Sequence, residues 1–191
     1  MTLVVQDLGL YRGGGAGRHA HSMTERIGSD REAVTALTSA DIWRALGKAS
    51  AAVLGHVTPS GSPRTSAVVY KAAGRRLYVA VAPDSWKARH ISSDNRVSMT
   101  VLVPRGGLLS LMFPIPPATI TFHGRAQVHP ADAPEVGPLL AQLRSLLPPE
   151  RATSSCLIEI TPRGDFLTYG IGTPLLAMRT PARARARVPV G

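Results

Sequence analysis

Between Ala51 and Val103 the chain is a succession of short runs rich in β-branched residues, each ended by a turn-forming cluster. Ala51 to Val57 ends at Thr58-Pro59-Ser60-Gly61. Arg64 to Lys71 ends at Ala72-Ala73-Gly74, and Leu77 to Ala82 and Val97 to Val103 follow. Val, Ile and Thr suit a pleated, half-buried surface, while Gly, Pro, Ser and Thr clusters form turns. The pattern predicts an antiparallel meander and favours a strand-rich fold over a helical bundle. With 18 Gly and 16 Pro among 191 residues, frequent turns agree with it.

Downstream, Ala118 to Val128 sets Ile120, Phe122 and Gly124 against Thr119, Thr121 and His123, the alternation of a half-buried strand. Ser155 to Thr161 and Phe166 to Tyr169 read as the last strands, joined at Arg163-Gly164-Asp165. Three helices are expected. One is capped by Ser39, with Asp41 in its first turn and Ile42, Ala45, Leu46 and Ala49 on one face. A short one spans roughly Ser85 to Ser92 and stops at Asp94-Asn95. The third is capped by Asp132 and carries Val136, Leu139, Leu140, Leu143 and Leu147. About seven strands with few helices predict a mainly β fold, a small closed antiparallel barrel with flanking short helices. Closure removes the edges that a meander leaves open.

Residues 1–30, with Gly13-Gly14-Gly15 and His19-Ala20-His21, carry no period and are expected to be a flexible extension. The domain then covers residues 31–172, and residues 173–191 form an irregular basic tail. Leu108 to Pro117 is apolar, but it is short and holds Pro114, Pro116 and Pro117. No apolar run reaches the ~20 residues of a membrane span. The one cysteine, Cys156, excludes an intrachain disulfide and reads as a buried structural thiol, so a reducing cytoplasm is expected.

The net charge is +10, a field that attracts anions such as phosphorylated cofactors, nucleic acid or anionic membrane. Much of it lies at the ends, at Arg12, Arg18, Arg179, Arg183, Arg185 and Arg187. The interior concentration is Asp84-Ser85-Trp86-Lys87-Ala88-Arg89, just after a strand and at the start of a helix. The first N–H groups of a helix lack partners and carry partial positive charge. Ser85 adds a hydroxyl, Lys87 an ammonium and Arg89 a planar fork of donors. Composition alone leaves two readings open: an anion grip, or a solvated basic turn in which Asp84 is an ordinary N-cap.

The order of these pieces is distinctive. Ser85-Trp86-Lys87-Ala88-Arg89-His90-Ile91, then Asn95-Arg96-Val97-Ser98, resembles the phosphate-binding segment of the pyridoxamine 5'-phosphate oxidase-like split barrels. Gly55 to Gly61 resembles their first strand and turn. Pro63 and Ser66-Ala67-Val68-Val69-Tyr70-Lys71 resemble the strand along the flavin ring. Gly124-Arg125-Ala126 resembles a later strand. The resemblance covers residues 40 to 165 or so and implies a six- to seven-stranded split barrel. It implies that Ser85, Lys87 and Arg89 hold a cofactor phosphate; Trp86 stands where the oxidases tend to carry a basic residue, and as a cofactor-binding residue it would cover an apolar part of the cofactor or the dimer seam. Ser66, Ala67, Val68 and Val69 would meet the ring and ribityl chain, Lys71 would lie near the same cofactor, and Thr119 would face the flavin. Val68 and Val69 also suit plain barrel core.

The family implies a homodimer with its cofactor at the interface, and hydride transfer between that cofactor and a small organic substrate. FMN is the expected cofactor; the deazaflavin F-420 and haem are alternatives within the superfamily. The Trp- and Arg-bearing segment by which true oxidases grip the vitamin is replaced by Asp165-Phe166-Leu167-Thr168-Tyr169-Gly170, so vitamin B6 oxidation is not expected. No catalytic acid or base stands out. Tyr70, Tyr169 and His123 are candidate proton donors, though each is more often structural. No metal site is expected. A haem reading needs an axial ligand from His56, His90, His123 or His129. A nucleic-acid reading has charge but few stacking rings, so no specific nucleic acid is expected. A barrel that has lost its cofactor is the remaining rival. The apolar loop Leu108-Leu109-Ser110-Leu111-Met112-Phe113 is expected to be an interface or a lid.

Overall fold

The computed structural model describes residues 37–105, 116–130, 132–134, 136–144 and 155–191. Its organising feature is a single residue, Tyr70. Strand β2 (Pro63–Val69) and strand β3 (Lys71–Ala73) stand at opposite ends of the antiparallel path β2-β1-β5-β6-β7-β4-β3, yet only Tyr70 separates them in sequence. The bent strand they form carries the sheet back to its own start and closes the barrel. The intervening strands are β1 (Ala51–Val57), β4 (Arg76–Val81), β5 (Arg96–Val103), β6 (Ala118–His129) and β7 (Cys156–Tyr169). The expected mainly β antiparallel barrel is therefore present, and the expected run from Arg64 to Lys71 is two strands with a corner at Tyr70.

Alternation fixes which side chains face inward. In β1 and β2 the even-numbered residues oppose one another, as Ala52↔Val68, Leu54↔Ser66 and His56↔Arg64. The interior is filled by Leu54, Tyr70, Leu77, Val79, Met99, Val101, Ile120, Phe122, Ile158, Ile160 and Phe166. The β3–β4 hairpin turns on Gly74 and Arg75, both at positive φ (55° and 58°), as a two-residue turn between strands requires.

Helix α1 (Ser39–Lys48) closes one end of the barrel with Ile42 and Leu46, both fully buried. Its N-cap is Thr38, one residue earlier than expected. Thr38 Oγ1 accepts from the Asp41 N–H, and Asp41 Oδ2 accepts from the Thr38 N–H. Ser39 Oγ instead donates to Val190 O at 2.7 Å. Helix α2 (Trp86–Ser93) lies against β1 and β6 and buries Ala88 and Ile91. Helix α3 (Gly137–Arg144) packs on the outer side of β4 and β7, where Val136, Leu140 and Leu143 cover Tyr78 and Leu157. Asp132 lies too far ahead of Gly137 to cap it, and Leu147 is outside the described residues, as are the apolar loop and residues 1–30.

Two further expectations are corrected. The last strands are one strand, β7: Arg163-Gly164-Asp165 is not a connection but an irregularity in register against Thr121/His123. Bulges bend a strand without ending it. The C-terminal segment is not irregular. It forms a 3₁₀ helix (Leu175–Arg179), a helical turn α4 (Pro181–Ala184) and strand β8 (Arg185–Pro189), which pairs with β7. Val188 is buried in the main core, and Val190 O accepts from Ser39 and from Trp43 Nε1. Arg185 and Arg187 alternate with Ala186 and Val188, so the basic residues are the outer face of a strand. Cys156 is buried, as expected, and burial raises its thiol pKa.

Candidate functional site

Strand β4 ends at Val81, and the chain turns through Pro83-Asp84 into α2. Ser85, not Asp84, is the N-cap: its Oγ accepts from the Ala88 N–H at 3.3 Å. That uses an acceptor lone pair and leaves the hydroxyl proton for another partner. The N–H groups of Trp86 and Lys87 belong to the first turn, where no intrahelical acceptor exists. Lys87 is half-buried, and its Nζ lies 4.9 Å from the Trp86 ring centroid. Arg89 is exposed.

The helix start is set against two barrel strands. His56, the last inward position of β1, is 4% exposed. Its ring centroid lies 5.1 Å from that of Trp86 and 5.4 Å from that of His90, and Trp86 and His90 are 5.6 Å apart. Trp86, expected to cover the cofactor or the dimer seam, forms one wall of a three-ring cluster. Across the β1–β2 ladder His56 faces Arg64, and Ser66 is the next inward position along β2. His56 Nδ1 and Nε2, His90 Nδ1 and Ser66 Oγ are buried without a hydrogen-bond partner among the described residues. Desolvation lowers the His56 pKa, and the charges of His90, Lys87 and Arg64 push it the same way.

Buried polar groups are normally satisfied, so the orphaned nitrogens of His56 and His90, with Ser66 Oγ at the next inward position along β2, could hold a polar group. Their charged neighbours are cationic, which selects an anion. The donors at the start of α2 fit a phosphate: two first-turn N–H groups, the Ser85 hydroxyl and the Lys87 ammonium.

The remaining predicted site residues divide by face. Val68 points inward and is buried in the core, whereas Ala67 and Val69 lie on the outer face. Lys71 is half-buried opposite Tyr78, past the Tyr70 corner. Thr119 is not near α2. It faces out of β6, opposite Leu102 and Tyr169, while Arg125 on the same strand reaches Asn95 beside α2. Along a strand that separation is roughly 20 Å. Thr119 instead lines an open groove of about 620 Å³ with Thr121, Leu167, Tyr169, Arg185 and Arg187.

Of the candidate proton donors, Tyr70 is fully buried and its hydroxyl donates to Leu46 O at 2.8 Å. Tyr169 donates to Met178 O at 2.9 Å, and His123 is exposed. Sequence reasoning did not single out Arg64 and weighed His56 and His90 only as haem ligands. The signal for His56 was its phase: it follows Ala52 and Leu54 at period two, which puts it inside.

Residues 40–164 match the family model described as pyridoxamine 5'-phosphate oxidase. Among solved structures, a heme binding protein from Mycobacterium smegmatis is 17% identical with a TM-score of 0.56, over 72% of this chain and 55% of that one. HutZ, the heme storage protein from Vibrio cholerae, is 16% identical with a TM-score of 0.55, over 70% of this chain and 94% of that one. The protein Atu2129 of Agrobacterium tumefaciens, of unknown function, is 23% identical with a TM-score of 0.51, over 84% and 63%. At such identities the likeness concerns the fold. No curated protein matches the sequence.

Proposed function

The chain belongs to the pyridoxamine 5'-phosphate oxidase family, and on that premise we propose that it is an oxidoreductase that binds FMN, or alternatively the deazaflavin F-420, and acts on a small organic substrate. The observation that carries this reading is the set of orphaned buried polar atoms, His56 Nδ1 and Nε2, His90 Nδ1 and Ser66 Oγ, beside the cationic start of α2. When bound, the flavin supplies hydride transfer. The protein's own residues bind and orient it. Ser85, Lys87 and the N–H groups of the first α2 turn hold the phosphate, Arg89 adds its charge from the rim, and Trp86 walls the pocket. Ala67 and Val69 offer a low, apolar outer surface on β2 along which a flat ring can lie, with Lys71 beyond the Tyr70 corner.

A second copy completes the site. The exposed apolar residues Val53, Val69 and Leu102 share the outer face of β2, β1 and β5, and Leu167 continues it on β7. Covering that face excludes water and brings a partner's Thr119 groove towards the cofactor. The homodimer is the functional unit in this reading. In this reading the substrate is not pyridoxamine phosphate, since Asp165-Phe166-Leu167-Thr168-Tyr169-Gly170 offers no Trp and Arg to grip the vitamin.

The test is a visible spectrum of the purified protein followed by titration with FMN, F-420 and haem. Lys87→Ala with Arg89→Ala weakens FMN or F-420 binding at least tenfold, because each charged hydrogen bond contributes ~1.5–3 kcal/mol. Unchanged affinity in that double variant refutes the phosphate assignment. A Soret band, with haem bound in preference to either flavin, replaces the reading with a haem-binding one.

A further inference from the structure

In the phosphate reading the orphaned nitrogens of His56 and His90 mark the site, but these rings have no chemical role of their own. A histidine placed inside a barrel normally satisfies at least one ring nitrogen. His56 is 4% exposed, yet both its nitrogens are orphaned, and so is Nδ1 of its neighbour His90. Trp86 closes the third side at 5.1 Å from His56.

Two ligand classes suit imidazole nitrogens. A metal cation would need further ligands and a tolerant field. Among the described residues no group of three His, Cys, Asp or Glu side chains converges anywhere. The charged groups facing His56 are Arg64 from β2 and Lys87 and His90 from α2, while β5 presents the apolar Val97. No carboxylate acts on it. Such a field repels a cation and attracts an anion. It also disfavours a proton on His56 while no anion is bound, because desolvation and then its neighbours His90, Lys87 and Arg64 lower its pKa. A phosphoryl group at the start of α2 reverses the balance: its negative charge offsets Lys87 and Arg64 and favours a proton on the imidazole.

We propose that His56, held between Trp86 and His90, is a proton-coupled member of the anion site, so that binding of a phosphoryl anion draws a proton from solvent onto His56. The proposal rests on the phosphate assignment above and adds its regulation. Ligand is held more tightly in mildly acidic than in mildly alkaline medium, and His56 is the residue that makes the difference. Proton uptake is the only chemical change; no bond to the anion forms or breaks.

Sulfate is the probe, because its own charge does not change over the pH range in which histidine titrates. Imidazole NMR titrations of the full chain are recorded with and without saturating sulfate, His56 being assigned by its loss in His56→Gln. Sulfate is expected to raise the His56 pKa by about one unit, which is equivalent to ~10-fold tighter sulfate binding on the acid side of the transition. Calorimetry in buffers of differing ionisation enthalpy is expected to show proton uptake in the wild type and its loss in His56→Gln. A His56 titration that sulfate leaves unmoved, or a failure of sulfate to bind at all, overturns the proposal. The cofactor assignment beneath it fails on different results. If FMN and F-420 fail to bind while sulfate still moves His56, the cofactor falls and the coupling stands. If cofactor binds tightly and depends on Lys87 while His56 stays static, the cofactor stands and the coupling falls.

Discussion

Tyr70 is where the barrel turns its corner, and its hydroxyl is committed to structure. It donates to Leu46 O in the last turn of α1, where carbonyls have no intrahelical partner. Burial raises the phenol pKa well above its ordinary range, so it is no proton donor at neutral pH. Tyr70→Phe strands a buried carbonyl and lowers stability by about 1–3 kcal/mol, measurable by denaturant unfolding. His56 is the opposite case, a buried group kept uncharged. Its folded pKa lies below the ordinary 6.5, so the unfolded chain takes up the proton first. The stability associated with neutral His56 is complete above that value and is lost as pH falls below it. In anion-free buffer the melting temperature of the wild type therefore drops on mild acidification, and that of His56→Gln drops less. Equal slopes would mean that His56 is not the titrating group.

At the scale of elements, close approach and edge protection decide what can change. Gly124 sits where β6 meets the irregular part of β7: a Cβ there would lie 2.5 Å from Thr161 O. That neighbour is backbone inside a ladder and cannot swing away. Gly124→Ala is expected to cost about 1–3 kcal/mol, read as a lowered melting temperature. Strand β8 covers the C-terminal half of β7 and brings Val190 to α1. Deleting residues 185–191 exposes the β7 edge and removes two hydrogen bonds to α1. The shortened chain unfolds at lower denaturant concentration and aggregates, which light scattering detects. A tail that were only a basic appendage would come off without effect. For the same reason, tail deletion is not a clean test of nucleic-acid binding.

At the scale of the whole molecule, apolar outer-face residues and the separation of Thr119 from α2 concern assembly. Val53 and Val69 are each 38% exposed, Leu102 43% and Leu167 52%, too many on one sheet to be incidental. Leu102→Asp places a charge at the centre of that face. On the proposed homodimer, it is expected to give a monomer in analytical ultracentrifugation and to weaken binding of the proposed flavin together with it. A variant that remains dimeric would move the interface elsewhere. Among the described residues no helix is long and apolar enough to cross a membrane.

What the sequence determined by itself is local. Val, Ile and Thr runs with Gly and Pro punctuation define β1, β2, β4 and β5, because propensity and turn chemistry act over a few residues. The alternation of Ile120, Phe122 and Gly124 likewise defines β6. The start of α2, with Ser85, Trp86, Lys87 and Arg89, was legible in the same way and pointed to the chemistry of an anion site. The tertiary structure alone decided three things. Arg163-Gly164-Asp165 has the composition of a turn, but pairing with β6 keeps the chain extended through it. The Arg-rich end has the composition of a tail, but an unpaired β7 edge makes it a strand. His56, Arg64, Ser66, Trp86 and His90 lie far apart in sequence, and only the β1–β2 ladder and the packing of α2 bring them together. Nonlocal pairing has no signature in a local window, and it is nonlocal pairing that set a basic hexapeptide beside the buried His56.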